Sequence, residues 1–381
     1  MKYVGSKRAM LESGLGEILR ERASFVRRVV DPFCGSGVVA WHIAEHTDTP
    51  VFASDLQSFA AVMAGSVLHR THELDADLIA RDWFGRAKEI VNNSPAAEAA
   101  YVFESSSWET TPRDAVERAR EICRRHAGHG VVTRAYGGYY FSPFQSLVLD
   151  ALRMSIPAIE PERTVAMASL ASGTYACAAS PGHTAQPFKP SVEGHKHLFG
   201  AWRRSPYTYV RRELDEIAER KARKVGVATV SSAESIAATA KSGDLFIIDP
   251  PYSFVHYSRF YHVLETVVRG WCGPVAGSGR YPPLHERPSS NFSIKSRSRD
   301  ALGSLLEKLA DAKAEVVLTF PIGECSNGLS GDDVLSLSRN RFDVTRDIVN
   351  GKFSTLGGTG RSRPARHRST EMLLQLVPRY S

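Results

Sequence analysis

The sequence predicts an α/β fold interrupted by a long, mainly helical insertion. Three observations predict it. Strand-like and helix-like stretches alternate from the N-terminus to about residue 70. The alternation gives way to helical periodicity from about Thr71 to Lys224, and it resumes over the C-terminal part. A strand–helix–strand succession implies a parallel sheet, because the helix returns the chain to the edge from which the strand started.

Each element has its own signal. "RAMLESGLGEILRERA" is amphipathic and predicts a helix. "FVRRVVDPF" predicts a strand ending at Asp31-Pro32, and "GSGVVAWHIAEH" a helix opening on a glycine turn. "TPVFASDLQ" predicts a second strand ending at Asp55. The insertion carries one aromatic, glycine-rich interruption, "RAYGGYYFSPFQ". After it, "GVATVSSAESIAATAKSGDLFIIDPPY" reads as strand, helix and strand, "AEVVLTFP" (Ala314 to Pro321) as a strand behind a helix, and "TEMLLQLVP" as a last strand. The boundaries fall at residues 1–71 and 225–381 for a discontinuous α/β domain and 72–224 for the insertion. "SIKSRSRD" and "GTGRSRPARHRS" read as mobile basic loops.

With 43% hydrophobic and 23% charged residues, the composition excludes a disordered chain. A net charge of +7 permits a polyanionic partner. Five scattered cysteines, with no CxxC and no Cys/His ligand spacing, read as reduced thiols and exclude a zinc framework. The start "MKYVGSKRAML" lacks the apolar core of a signal peptide, and no apolar run approaches membrane-spanning length, so the expected location is cytoplasmic.

Two stretches carry chemistry. In "DPFCGSGVVA", Gly35 and Gly37 let the backbone turn sharply between a strand and a helix N-terminus. Asp55 ends the next strand, where a carboxylate suits the two hydroxyls of a ribose. The literal pattern G-x-G-x-x-A also fits a dinucleotide cofactor, and a tight structural turn with an exposed Asp explains it as well. "DPPY" narrows the choice. The exocyclic amine of a nucleobase is a poor nucleophile, because its lone pair is delocalised into the ring. A site that alkylates it needs acceptors for the two N–H protons. Asp249 can accept one and the Pro250 carbonyl the other, with Tyr252 able to stack on the base and Pro251 stiffening the loop. A Pro-rich strand exit with a chance Asp and Tyr is the plain structural alternative.

"KYVGSK", "DPFCGSG", the Asp of "ASDLQ" and "DPPY", in that order, resemble the adenine-specific DNA N6-methyltransferases of the D12 class, to which the Dam methylases belong. "YYFSPFQSLVLDALR", "SPGHTAQPF", "YHVLETVVRG" and "STEMLLQLVP" look like secondary blocks of that family, so the resemblance runs from residue 2 to the end. It implies a Rossmann-like class I methyltransferase domain with a helical DNA-recognition insertion, using S-adenosylmethionine as cofactor and no metal. Tyr3, Gly5 and Lys7 would line the cofactor pocket, Lys7 near its carboxylate. Asp31, Phe33, Gly35 and Gly37 would wrap the methionine and ribose part, Asp55 would hold the ribose hydroxyls, and Glu234 would face the adenine. Asp249, Pro250, Pro251 and Tyr252 would take the target adenine, flipped from duplex DNA. "LTFP" departs from the usual Ser-Tyr pair, so Phe320 either replaces a stacking Tyr or packs at a strand end.

The insertion agrees with a DNA partner on its own composition. From Pro187 to Lys224 there are 10 Lys/Arg against 5 Asp/Glu, with aromatics interleaved. Within it Trp202, Arg203, Arg204 and Tyr207 of "WRRSPYTY" are the expected DNA contacts, whereas Arg211 to Lys224 reads as a salt-bridged, solvated helix face. His183 in "SPGHTAQPF" either approaches the DNA or the active site or serves the loop's structure. The loop Gly351 to Ser369, with 5 Lys/Arg and no acids, either grips a phosphate backbone or is simply solvated.

The leading expectation is a site-specific adenine N6-methyltransferase of duplex DNA in restriction–modification or phage defence. Methylation of RNA adenine or of cytosine N4 in DNA keeps the chemistry and changes the substrate. A non-catalytic DNA-binding protein on the same fold is a different class, and a nicotinamide-dependent oxidoreductase leaves DPPY and the basic insertion without a use. A restriction enzyme accompanying it would be a separate chain, because no nuclease motif is legible here, and a monomer suffices for one flipped base.

Overall fold

The computed structural model describes residues 7–106, 111–191, 194–354 and 366–379. Helices α1 (Arg8–Met10) and α2 (Gly16–Ala23) replace the one helix expected there, because Ser13 and Gly14 leave helical geometry, Gly14 at φ 112°. Strand β1 (Arg28–Asp31), helix α3 (Val38–His46) and strand β2 (Val51–Asp55) follow as expected, and helix α4 (Ser58–Leu68), for which there was no separate expectation, comes next. Helix α4 is apolar on nearly every face and buried along most of its length, as a helix between other elements must be.

The insertion holds α5 (Ala76–Asn92), α6 (Ala97–Ser106), α7 (Pro112–Arg125), α8 (Val131–Tyr136), α9 (Pro143–Met154), α10 (Glu162–Cys177), α11 (His195–Trp202) and α12 (Pro206–Ala218). Their starts are written locally. Asp75, Thr111, Ser142 and Ser205 each accept a hydrogen bond from a backbone N–H of the helix they precede, and proline occupies the first position of α7, α9 and α12. The chain then continues as β3 (Val227–Val230), α13 (Ala233–Ala237), β4 (Asp244–Ile248), α14 (Tyr257–Arg269), α15 (Ser298–Asp311), β5 (Glu315–Pro321), α16 (Gly331–Arg339), β6 (Phe342–Ser354) and β7 (Arg366–Pro378).

The strands form one sheet of order β3-β2-β1-β4-β5-β7-β6. The first five are parallel and in doubly wound order, while β7 lies antiparallel between β5 and β6. The chain leaves β1 towards β2 and β3 on one side and returns to β4 and β5 on the other. The switch point therefore lies between β1 and β4, and open α/β sheets bind ligands beyond the C-terminal strand ends at such a point. Val30, Phe246, Ile248, Val316, Leu318 and Phe320 pack with Leu302, Leu305 and Leu309 of α15 in the sheet's core.

Contacts divide the chain into two compact units. Among the described residues, one comprises 7–72, 220–257 and 288–379 and contains the sheet. The other lies within 73–219 and 258–287 and is mainly helical. The second range, 258–287, was expected in the α/β domain. It groups with the helices because α14, beyond its first residue, buries Phe260, Tyr261, Val263, Leu264 and Val267, and Tyr136 Oη of α8 hydrogen-bonds Thr266 Oγ1 at 2.8 Å.

Two further expectations change. "SIKSRSRD" is not a free loop: Ser298 begins α15, is fully buried and donates to the Asn327 carbonyl at 2.8 Å. Of "GTGRSRPARHRS", residues 358–365 lie outside the described residues, and β7 begins at Arg366. Strand β6 had no expectation at all, because "FDVTRDIVNGKFS" is too polar to read as a buried strand.

Candidate active site

The turn after β1 is closed by backbone hydrogen bonds. Cys34 N donates to the Ser54 carbonyl at 3.0 Å and Gly37 N to the Cys34 carbonyl at 2.7 Å. Gly35 and Gly37 adopt φ 48° and 77°, and a Cβ on Gly37 would meet the backbone of Ala64 at 3.0 Å, so α3 and α4 approach too closely for any side chain there. Asp55, at the end of β2, accepts from Gly35 N at 3.1 Å through Oδ2 and from Gln57 N at 3.0 Å through Oδ1. One carboxylate thus joins the glycine turn to the end of the next strand.

Asp31 ends β1 in full burial. Burial pushes its carboxyl up to about 8; the Phe33 N–H, donating at 3.3 Å, opposes this, and the charges of Asp249 and Asp55 add to the rise. Asp31 therefore feels both other carboxylates beyond the C-terminal ends of β1, β2 and β4. Phe33 packs edge-on against Phe292, ring centroids 5.0 Å apart. Glu234, half-buried in the first turn of α13, accepts from Asn291 Nδ2 at 3.4 Å.

Asp249 follows β4 directly. Its Oδ1 accepts from Thr319 Oγ1 at 2.9 Å and stands 2.9 Å from the Lys7 ammonium; Oδ2 has no hydrogen-bond partner among the described residues. The same ammonium lies 2.7 Å from Glu371 Oε2. Burial works against a charge on Lys7, but the paired carboxylates outweigh it and hold its pKa above the ordinary lysine value. Burial raises the Glu371 carboxyl, with Lys7 pulling it back and Asp249 pushing further. Lys7 is thus committed to protein carboxylates. Tyr3 and Gly5, its expected companions, lie outside the described residues.

The proline pair is fixed from outside. Asn327 Nδ2 donates to the Pro251 carbonyl at 2.8 Å and to the Phe292 carbonyl at 3.1 Å, and Phe254 N donates to Ser326 Oγ at 3.2 Å. No donor among the described residues reaches the Pro250 carbonyl. Tyr252 packs at the border of the sheet core. Burial holds the Tyr257 hydroxyl well above the usual tyrosine range, with the Tyr252 hydroxyl and the Asp249 charge beside it.

Thr319, Glu371, Asn327 and Tyr257 had no place among the residues expected from sequence. Two of them left a signal. Thr319 alternates with the core residues Leu318 and Phe320, and Glu371 is a lone acid directly before the apolar run of β7. Phe320 is fully buried in the core, which resolves its two readings in favour of packing.

In the helical unit the expected DNA contacts are spread over different environments. Trp202 is 1% exposed, in a cluster with Phe103, Leu198 and Phe199, so a role contacting DNA does not fit it. Its spacing of three from Phe199 puts both rings on one buried helix face. Arg203 is exposed, with its charge felt by Glu104, and Arg204 donates to the Ala176 carbonyl at 2.6 Å. Tyr207 is half-buried beside Phe84, ring centroids 5.4 Å apart. Arg211 pairs with Asp77 and Asp215 and Arg212 with Glu213, as a salt-bridged helix face requires. His183 is buried against Phe260 and accepts from Ala185 N, a structural setting.

Among the described residues no helix is long and apolar enough to cross a membrane, and no cluster of side chains could hold a metal ion. No curated protein matches the chain. Residues 3–103, which include the glycine turn, Asp31 and Asp55, match the family described as D12 class N6 adenine-specific DNA methyltransferase, a Rossmann-like methyltransferase family, and the large helical region follows the sheet strands within that match.

Proposed function

We propose that the protein transfers a methyl group from S-adenosylmethionine to the exocyclic N6 of an adenine turned out of duplex DNA. The observation that carries this reading is the division of bonds at Asp249. Oδ1 is fixed by Lys7 and Thr319, while Oδ2 and the adjacent Pro250 carbonyl have no donor among the described residues. Two acceptors on one loop, stiffened by two prolines and by Asn327, can take the two N–H groups of a planar amine and let its nitrogen become tetrahedral. Tyr252 offers a ring for the base. The surplus proton leaves to solvent after transfer, so no histidine is required.

The cofactor supplies an electrophilic methyl on a sulfonium. The residues fit such a cation: burial raises the Asp31 carboxyl, the charge of Asp55 adds to the rise, and a positive ligand beside them relieves that repulsion. The same acidity disfavours the diphosphate of a nicotinamide dinucleotide. Asp55, joined to the glycine turn at the end of β2, suits a ribose.

The test is transfer of labelled methyl to unmethylated DNA, followed by digestion to nucleosides. Label in N6-methyladenosine supports the reading. Label only in N4-methylcytosine or only in RNA replaces the substrate, and cofactor binding without label leaves a non-catalytic binder.

A further inference from the structure

Some arginines of this chain are paired with acids, such as Arg22 with Glu315, Arg27 and Arg28 with Asp244, Arg299 with Asp333 and Arg341 with Asp311. One face of the helical unit gathers four that are not. The guanidiniums of Arg120 and Arg280 both lie over the Tyr139 ring, at 4.1 and 4.4 Å, and those of Arg259 and Arg287 over the Tyr281 ring, at 5.1 and 5.2 Å. Their hydrogen bonds go to neutral oxygens: Arg120 to the Gly138 carbonyl, Arg259 to the Tyr281 hydroxyl, Arg280 to the Ala135 carbonyl. Arg287 Nε has no partner among the described residues. No carboxylate lies within ion-pair distance of these four among the described residues. The nearby Glu286 is occupied by Gly273 N, at 2.9 and 3.1 Å. Burial and then the charges of Arg287 and Arg259 lower the neighbouring His262 to about 4, so it adds no further positive charge to the face.

The backbone adds an independent observation. Arg280 adopts φ 54°, a left-handed conformation that costs an L-residue free energy and that glycine takes without cost. It sits in a tight turn closed by Ala276 and Tyr281, whose Gly279 carbonyl contacts Tyr140 Oη and His262 Nε2, both at 3.0 Å. An arginine is held in strain where glycine would be easier, on a turn clamped from beneath. Like charges without counter-charges, stacked on aromatic rings, cost folding energy unless an anion neutralises them.

We propose that this face, centred on Arg280 and flanked by Arg120, Arg259 and Arg287, is where the helical unit grips the phosphate backbone of the DNA. The inference rests on the reading of the protein as a DNA methyltransferase and replaces Trp202 with a different binding surface. Guanidiniums preoriented on rings present their forks to phosphate oxygens with little further ordering.

The test is binding of a random-sequence labelled duplex, by fluorescence anisotropy against salt concentration. It compares wild type, Arg280→Gly, the pair Arg259→Gln/Arg287→Gln, and Arg211→Gln, whose guanidinium is occupied by acids. The expected result is weaker binding in the first two variants, with the slope of log affinity against log salt falling by about one for each arginine–phosphate pair removed, and no change in Arg211→Gln. Arg280→Gly should melt no lower than wild type, which separates lost binding from lost folding. Wild-type affinity and slope in both test variants overturn the proposal. If the wild type methylates DNA while these variants bind normally, the surface is wrong and the function stands. If the wild type neither binds nor methylates DNA, both fail.

Discussion

The ammonium of Lys7 lies 2.9 Å from Asp249, and the same ammonium holds Glu371 at 2.7 Å, so a residue from the start of the chain fixes the carboxylate after β4. Lys7→Met leaves two neighbouring carboxylates without their cation, one of them deeply buried. The expected cost is about 3–5 kcal/mol of stability, read by urea unfolding. Adding Glu371→Gln to that variant should recover part of it. A loss within experimental error in Lys7→Met would mean that the pair is not maintained in solution.

Thr319→Val keeps the volume and removes the donor to Asp249 Oδ1. Turnover should fall about tenfold through lost orientation of the carboxylate, with about 1 kcal/mol lost in stability. Cofactor affinity, measured by calorimetry, should hold. A fall in affinity with unchanged turnover would assign Thr319 to the cofactor instead.

Asp31 makes stability depend on pH in an unusual direction. Its folded carboxyl titrates at about 8 against an ordinary 3.8, so between those values the folded chain keeps a proton that the unfolded chain has lost. Its contribution is fully present below about 4 and is lost as pH rises through about 8. Melting temperature without cofactor should fall across that window and flatten in Asp31→Asn. S-adenosylmethionine, by bringing a positive charge, should displace the proton, which calorimetry in buffers of different ionisation enthalpy would read. An unchanged slope in Asp31→Asn would remove Asp31 from the account.

Trp202→Ala empties a fully enclosed aromatic site and should cost about 3–5 kcal/mol, whereas a surface aromatic that contacts DNA would cost almost nothing in the free protein. Thermal unfolding distinguishes the two. Trp202→Phe should restore most of the stability, and neither variant should change the salt dependence of DNA binding while it remains folded.

Asp31, Asp55 and Asp249 were legible because each ends or follows an apolar strand, where a lone carboxylate and a glycine or proline break the pattern together. Trp202 misled because composition reports which residues a segment contains and not which face they occupy; only its spacing from Phe199 hinted at burial. Glu371 and Lys7 could not be paired from the sequence, since nothing local links them and the link is made by β7 lying against β5. The arginine face was equally hidden. Arg120 and Arg280 share Tyr139 only after α14 and the turn that follows it join the helices.

The central claim is that Asp249 acts on the target amine and does not hold the cofactor. Single-turnover methyl transfer to DNA by Asp249→Asn, with cofactor affinity measured on the same sample, tests it most directly. The account predicts unchanged affinity for S-adenosylmethionine and a rate lower by about two to three orders of magnitude, as when a preorganised acceptor is removed from a reacting centre. Transfer at the wild-type rate, or a loss of cofactor binding that by itself explains the slower rate, would contradict it.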